Sequence, residues 1–201
     1  MSSFSSANTI RSTSLNGWWD FCPAAAEDPM LLIPVEGWEE DVFLVPSSWT
    51  GTGSEAFAYP PAWNRTRQGW LRRFVRMVRH GNRRLVLQFD AAGPRATVFL
   101  NGAAVCESLD AFTPFEADLT EIANPGVNEL VVRILDTPRD EQGRARHPAG
   151  CGRFTGIWQD VRLVERAEVF VAHAAVRTVV REGRIAAEIE LANASRRPRS
   201  V

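Results

Sequence analysis

The segment Ala96–Gly102, which reads Ala-Thr-Val-Phe-Leu-Asn-Gly, constrains the fold of this 201-residue chain more than any other. It is an alternating strand that runs into Asn-Gly, the strongest short-range signal of an antiparallel hairpin. After a short polar loop, we expect the return strand within Phe112–Thr120. The sequence therefore predicts antiparallel β structure.

Short strands with similar patterns recur along the chain. We predict them at Trp18–Cys22, Val42–Val45, Gly69–Val78, Arg84–Phe89, Arg95–Leu100, Phe115–Leu119, Glu129–Leu135 and Trp158–Val164. Leu85, Leu87 and Phe89 should share one face, because side chains alternate between the two faces of a strand. No window shows a helical stripe, so helices that connect parallel strands are not expected. An all-β, antiparallel sandwich or barrel is favoured.

One predicted strand, Gly69–Val78, is rich in arginine. Trp70, Arg72, Phe74 and Arg76 are every second residue of this strand. Their guanidinium and aromatic groups should therefore line one face. We interpret this strand as a solvated sheet edge on which arginines stack over aromatic rings.

The two ends of the chain differ from its middle. Met1–Ser14 is rich in serine and has no apolar run, so we expect a flexible tail without a signal peptide or membrane anchor, and a cytoplasmic protein. Residues 15–166 should form the first domain. Residues 167–201 hold one more hairpin, which turns at Glu182–Arg184. A lone hairpin is marginally stable, so we interpret it as the start of a truncated second domain.

Composition excludes several kinds of partner and site. The net charge is −1 and all 23 basic residues are arginine, so nothing indicates nucleic acid or a membrane surface. Cys22, Cys106 and Cys151 lack metal-site spacing and are expected to be reduced thiols. The three histidines, His80, His147 and His173, are far apart in sequence. We therefore expect no metal and no cofactor.

Eight segments in fixed order carry a resemblance to a known family. They are Leu15–Phe21, Val45–Trp49, Gly69–Phe74, Leu87–Asp90, Val98–Gly102, Phe112–Thr120, Asn128–Val132 and Gly156–Val161. Together they resemble the N-terminal sugar-binding domain of glycoside hydrolase family 2, the family of bacterial β-galactosidases, β-glucuronidases and β-mannosidases. The resemblance covers about Leu15 to Leu163.

This resemblance implies a jelly-roll (galactose-binding-like) sandwich, then an immunoglobulin-like sandwich, then a (β/α)₈ barrel that carries the catalytic carboxylates. Only the jelly roll and the opening hairpin of the second domain fall within this chain. It is thus expected to be the N-terminal, non-catalytic portion of a retaining β-glycosidase. Its implied partners are the other two domains of the parent chain and, at the barrel, a terminal β-linked sugar.

The carboxylates of the chain fit this expectation. Retaining glycosidases need two carboxyl groups roughly 5 to 5.5 Å apart, and in the family the acid/base glutamate follows an asparagine. Asn128-Glu129 is the only such pair here, but it opens a strand where the family has a structural turn. We assign turn or strand-end roles to Asp90, Asp118, Asp136 and Asp160. No catalytic residue is therefore expected.

Any functional contribution should come from the long irregular segment Thr137–Thr155. In the resembled family this loop reaches the active-site mouth, and an Asp six residues before the Gly of Gly-Ile-aromatic contacts the sugar. That position is Gly150 here, so the contact cannot be transferred. The candidate sugar-binding residues are Asp140 as acceptor, Arg146, His147 and Arg153 as donors, and Trp63 or Phe154 as aromatic platform.

Two other functions fit the sequence. The chain could be a stand-alone carbohydrate-binding module, since jelly rolls also serve as lectin-like domains. It could also be an interaction domain whose exposed strands pair with another chain. An open reading frame that continues with a (β/α)₈ pattern would favour the glycosidase, and a salt-stable oligomer the interaction domain.

Overall fold

The computed structural model describes residues 10–24, 32–136 and 154–195. Its strands are β1 (Arg11–Ser14), β2 (Gly17–Ala24), β3 (Glu39–Val45), β4 (Gln68–Met77), β5 (Arg84–Phe89), β6 (Arg95–Leu100), β7 (Ala103–Ser108), β8 (Phe115–Asp118), β9 (Gly126–Leu135), β10 (Val161–Arg166), β11 (Val169–Val179) and β12 (Arg184–Asn193). The helices are α1 (Thr52–Ala56) and two 3₁₀ turns, Pro61–Arg65 and Val180–Glu182. Among these residues, no helix has the length and apolar character needed to span a bilayer.

Two antiparallel sheets face each other. The larger has six strands in the order β3-β2-β4-β9-β6-β7, and the smaller has four in the order β1-β10-β5-β8. A separate two-stranded sheet joins β11 to β12. The prediction of an all-β, antiparallel jelly-roll sandwich is confirmed.

The core lies between the two sheets because their strands alternate apolar and polar side chains. Leu85, Leu87 and Phe89 are all buried, as the alternation predicts, and they pack in one cluster with Phe21 and Trp49. Each fully buried side chain of this size contributes about 1.5–3 kcal/mol. Packing between the sheets is thus the main source of stability and fixes the sheet ends, where the loops are attached.

The Asn-Gly turn is present, but its return strand differs from the prediction. Asn101 (φ 50°) and Gly102 (φ 84°) both adopt positive φ, as a two-residue hairpin turn requires. The chain returns at once as β7, in which Ala103 pairs with Leu100. The prediction that the return strand lies within Phe112–Thr120 was wrong, because β8 in that segment pairs with β5 in the other sheet. Strand β7 is an exposed sheet edge without a clear apolar alternation.

The prediction of a flexible tail over Met1–Ser14 was also partly wrong. Residues 11–14 form strand β1, which pairs with β10 from Arg11 opposite Glu165 to Ser14 opposite Arg162. All four side chains of β1 are exposed. An edge strand held by backbone hydrogen bonds needs no apolar pattern, so the sequence carried no signal for it. Residues 1–9 lie outside the described part of the chain.

The arginine-rich strand β4 is not a sheet edge, contrary to our interpretation, since it lies between β2 and β9. Its outer face does combine guanidinium and aromatic groups. The Arg72 guanidinium lies 4.3 Å from the ring centre of Trp38 and 5.3 Å from that of Phe74. It also contacts Asp20 at 2.9 Å. These contacts satisfy the charge in the middle of the sheet, so no edge is needed to solvate it.

The hairpin predicted after residue 167 is present as β11 and β12. Its turn lies at Gly183, which has φ 58°. Facing pairs include Val176 with Ala187 and Thr178 with Ile185. The assignment of this hairpin to an immunoglobulin-like domain stays a prediction.

Candidate functional site

The long irregular segment is attached to the sandwich at two points next to each other. Its described C-terminal end runs along the segment after β3, where Trp49 donates its backbone N–H to the Thr155 carbonyl (3.0 Å) and Ser47 donates to that of Ile157 (2.9 Å). On its N-terminal side, the backbone N–H of Asp136 donates to the Arg67 carbonyl at 2.7 Å. Residues 137–153 lie outside the described part.

A buried network of hydroxyl groups and one carboxylate joins these two points. The Thr155 hydroxyl donates to Asp136 Oδ1 at 3.3 Å and accepts from the Thr50 hydroxyl at 3.1 Å. The Ser48 hydroxyl accepts the backbone N–H of Thr155 at 2.9 Å. All four residues are buried, and Asp136 is only 2% exposed. Buried polar groups are retained where they are hydrogen-bonded, so this network is the anchor of the irregular segment.

A second buried polar pair lies at the same end of the sheet, where Gln68 faces Leu135. Gln68 Oε1 accepts from Arg133 Nε (3.0 Å) and Nη2 (2.8 Å). The Arg133 guanidinium also lies 5.7 Å from the ring centre of Trp70. Sequence reasoning missed this pair, because the residues are far apart in sequence and belong to ordinary strand patterns.

Three aromatic rings meet just after the irregular segment. The ring centres of Phe112 and Trp158 are 5.3 Å apart at 69°, those of Phe154 and Trp158 5.5 Å at 39°, and those of Phe112 and Phe154 6.2 Å at 75°. The Trp158 indole N–H donates to the Ala111 carbonyl at 3.0 Å. Phe112 is 44% exposed and Phe154 37% exposed. We call Phe112, Phe154 and Trp158 the aromatic cluster.

Asp110 holds the loop that carries Phe112. One carboxylate oxygen accepts the backbone N–H of Phe112 at 2.8 Å, and the other accepts the Thr113 hydroxyl at 2.5 Å. These hydrogen bonds lower the pKa of the Asp110 carboxyl group below its ordinary value, and the bond from the Thr113 hydroxyl has the largest effect. Asp110 is therefore a carboxylate at neutral pH, and it fixes Phe112 through a local turn.

The candidate sugar-binding residues fall into three groups. Phe154 lies in the aromatic cluster with part of its surface exposed. Trp63 is 4% exposed and packs on Phe21 and Tyr59, with ring centres 4.3 and 5.2 Å away, which makes it a core residue. The other four candidates, Asp140, Arg146, His147 and Arg153, lie outside the described residues, as does Gly150.

The structural roles assigned to the strand-end carboxylates hold to different degrees. Asp118 accepts the backbone N–H of Thr120 at 2.9 Å, which confirms turn chemistry. Asp90 and Asp160 differ, since both accept from Arg162 on β10 and not from a turn N–H. Arg162 lies two residues after Asp160 in the chain, and its strand β10 pairs with β5, which ends just before Asp90. One charged donor therefore reaches both carboxylates, and such pairs bind more strongly than a neutral N–H.

Asn128 has the structural turn role that was expected. Its Oδ1 accepts from the backbone N–H of Asn124 and from the side chain of Asn101, each at 2.8 Å. Its Nδ2 donates to the Asn124 carbonyl at 2.7 Å. Glu129 lies on the strand after it, 3.8 Å from the Arg72 guanidinium. The Asn-Glu pair is therefore part of a turn and of a surface ion pair.

The described thiols and imidazoles have ordinary surroundings. Cys22 and Cys106 are free, and burial raises the pKa of each thiol. The Nδ1 atom of His80 lies 2.9 Å from Oε1 and 3.0 Å from Oε2 of Glu165. Within the described ranges, no group of three or more histidine, cysteine or acidic residues is placed to hold a metal ion.

The chain is a two-sheet jelly roll with an anchored irregular segment and exposed aromatic rings beside it. These features are typical of β-sandwich binding domains. The family model "Glycosyl hydrolases family 2, sugar binding domain" matches residues 12–167. The chain belongs to this family, and it corresponds to the N-terminal part of family 2 β-glycosidases.

Similar proteins agree with this assignment. The chain is 25% identical over 162 residues to a β-glucuronidase of Paenibacillus borealis, and 34% identical over 96 residues to a β-galactosidase of Halalkalibacterium halodurans. These alignments cover 71% and 48% of the chain but only 22% and 9% of the relatives. The chain thus spans a small part of the enzymes it matches, and the stand-alone module is not favoured.

Solved structures share the fold. A β-glucuronidase of an uncultured Clostridium superposes with a TM-score of 0.69 at 26% identity, over 90% of this chain and 34% of that one. A β-glucuronidase of Ruminococcus gnavus gives 0.73 at 20% identity, over 92% of this chain and 33% of that one. At this second level of identity, the likeness concerns the fold alone.

Proposed function

We propose that this chain is the sugar-binding domain of a longer retaining β-glycosidase, in which it scaffolds the catalytic barrel and helps to bind a terminal β-linked sugar. The family match over residues 12–167 carries the proposal. The buried hydrogen bond between Asp136 and Thr155 supports the proposal. It joins the two ends of the irregular segment and so fixes where this segment leaves the domain.

The sugar contacts in this proposal come from residues 137–154. Asp140 accepts hydrogen bonds from sugar hydroxyls, Arg146, His147 and Arg153 donate them, and Phe154 packs against the ring. We assign the aromatic contact with the sugar ring to Phe154 and not to Trp63, because the Trp63 ring packs against Phe21 and Tyr59.

The proposal includes an immunoglobulin-like second domain that begins with β11 and β12. Val171, Val176, Ile185, Ile189 and Leu191 are all exposed, and the strand register places these apolar side chains together on one face. Such a face on a two-stranded sheet needs further strands to cover it. A cytoplasmic location stays a prediction of the sequence.

The experiment compares variants of the complete encoded polypeptide on chromogenic β-galactoside, β-glucuronide and β-mannoside. For the substrate that is cleaved, we expect Phe154→Ala to raise KM about 2- to 10-fold with a smaller change in kcat, since a ring contact contributes about 0.5–1.5 kcal/mol. Phe74→Ala removes an exposed ring on the outer face of β4 and should leave KM unchanged. Absence of activity on all three substrates, or equal KM for both variants, would contradict the proposal.

A further inference from the structure

The base of the hairpin packs against the outer face of the smaller sheet. Leu85 and Leu87 belong to the core, so Val86 between them points to the opposite face. Val86 faces Val164 on β10, and the two side chains are only 1% and 4% exposed. Val164 lines the same groove as Phe170 on β11. The sandwich and the base of the hairpin therefore share an interface outside the core.

Two arginines face each other at this interface. Arg84 on β5 and Arg166 on β10 are direct cross-strand partners, and like charges at such positions repel each other. Each arginine has a carboxylate of β8 as its counter-charge. Arg166 donates to both carboxylate oxygens of Glu116, at 3.2 and 2.7 Å, and Arg84 forms an ion pair with Asp118. We call these four residues the arginine clamp.

The arginine clamp contacts both strands of the hairpin. The Arg166 guanidinium lies 3.9 Å from the ring centre of Phe170, near the start of β11. Arg84 donates to the Ala194 carbonyl at 3.5 Å, just after β12. The backbone N–H of Ala194 donates in turn to the Glu168 carbonyl at 2.9 Å, which closes the base of the hairpin. A guanidinium that is paired bidentately and stacked on a ring is fixed in both position and direction.

Beyond its base, the hairpin stands away from the sheet. An open groove of about 860 Å³ lies between them, with Ile10 on the sandwich side and Val171 and Leu191 on the hairpin side. Side chains of the described residues do not fill this space, so the contacts at the base decide the angle of the hairpin. Units joined by a small interface move relative to each other unless specific contacts hold them.

We propose that the arginine clamp sets the angle at which the hairpin, and the domain that begins with it, leaves the sandwich. Only residues 167 and 168 connect β10 to β11. Rotation about this connection would separate Arg166 from Phe170 and Arg84 from Ala194, so the clamp opposes it. The inference rests on the proposed function for the domain that follows the hairpin, whereas the clamp itself consists of described residues.

Residual dipolar couplings of the backbone N–H groups in the 201-residue chain measure this angle. We expect the couplings of β11 and β12 to fit the alignment tensor of the sandwich. Arg84→Gln combined with Arg166→Gln should reduce the couplings of the hairpin at least about 2-fold, because domain motion averages them. The couplings of the sandwich should keep their size.

Arg184→Gln is the matched control, since it removes an arginine that pairs with Glu182 at 2.9 Å near the turn of the same hairpin. It should leave all couplings unchanged. Phe170→Leu removes the ring over Arg166 without altering the sandwich, and it should also reduce the couplings of the hairpin. This variant decides the test if the double variant loses the signal dispersion of a folded sandwich.

Hairpin couplings in the unaltered chain that need a separate, weaker tensor would overturn the role of the arginine clamp. Couplings that keep their size in the folded clamp variants, or that fall equally in Arg184→Gln, would overturn it as well. No sugar and no turnover enter these measurements, so their failure is distinguishable from failure of the proposed glycosidase function.

Discussion

At the scale of single residues, the end of the sandwich is organised by a few buried polar atoms. Asp136 places its polar side chain in the protein interior, and Thr155 is one of its hydrogen-bond donors. Burial of a polar group is costly unless the group is hydrogen-bonded, so these donors stabilise the site. The anchor is therefore sensitive to the loss of one hydroxyl group.

Thr155→Val tests this sensitivity, because it keeps the shape of the side chain and removes its hydroxyl. We expect a loss of about 1–3 kcal/mol in the free energy of unfolding, since a buried acceptor loses a donor. Urea denaturation measures it. Thr178→Val, at an exposed position on β11, is the matched control and should change stability by less than about 0.5 kcal/mol. Equal effects of the two variants would contradict the role of the anchor.

Tyr59 provides a second test at this scale, because it is the single tyrosine of the chain. Its hydroxyl accepts the Leu44 N–H and bonds to Ser47, and burial raises its pKa above 10.0. The neutral phenol is favoured in the folded state. Tyr59 thus contributes stability that is fully present below the unfolded-state pKa and is lost as pH rises through the higher folded-state pKa.

The absorbance of tyrosinate measures this pKa directly. We expect the native chain to titrate above pH 10 and the chain in urea to titrate near 10. Tyr59→Phe should abolish the signal. A native pKa at or below that in urea would contradict the buried position of the hydroxyl.

At the scale of elements, sequence patterns locate a strand well when its apolar face is buried. Arg84–Phe89 and Arg95–Leu100 were predicted with their observed bounds, since their alternation follows from the core they face. Strands β1 and β7 are sheet edges. All four side chains of β1 and three of the six in β7 are exposed, so backbone pairing forms these strands without a clear apolar pattern. Phe154 could be named from its loop, but its contacts with Phe112 and Trp158 depend on tertiary structure.

Gly156 is the glycine on which the anchored end of the irregular segment depends. It has φ 148°, and a Cβ there would lie 2.6 Å from the Ser47 carbonyl oxygen. We expect Gly156→Ala to cost roughly 2–5 kcal/mol, from backbone strain and from the clash with main chain. Gly81→Ala is the matched control, since Gly81 also has positive φ (64°) but no atom within 4 Å of the added Cβ.

Thermal and urea unfolding of the two variants separate these causes. Gly81→Ala should lose only the roughly 1–2 kcal/mol of left-handed strain. Similar losses for both glycine variants would show that the contact between Gly156 and Ser47 is unimportant.

At the scale of the whole molecule, the chain combines a complete sandwich with one uncovered hairpin. The family match ends at residue 167, two residues before β11 begins at Val169. The chain spans 22% of its β-glucuronidase relative from Paenibacillus borealis. The resemblance of eight ordered segments to family 2 predicted the jelly-roll sandwich, and the alternating pattern on both sides of Glu182–Arg184 predicted the hairpin. The sugar that the proposed enzyme would cleave could not be predicted, because these elements serve the scaffold.

We propose that this domain supports glycoside hydrolysis within a longer enzyme without performing it. The measurement is hydrolysis of chromogenic β-galactoside, β-glucuronide and β-mannoside by the purified 201-residue chain, next to the complete encoded polypeptide. We predict no turnover by the chain, and turnover of one substrate with retention of anomeric configuration by the complete polypeptide. Turnover by the chain that persists through purification and disappears on Glu129→Gln would contradict a non-catalytic role of this domain.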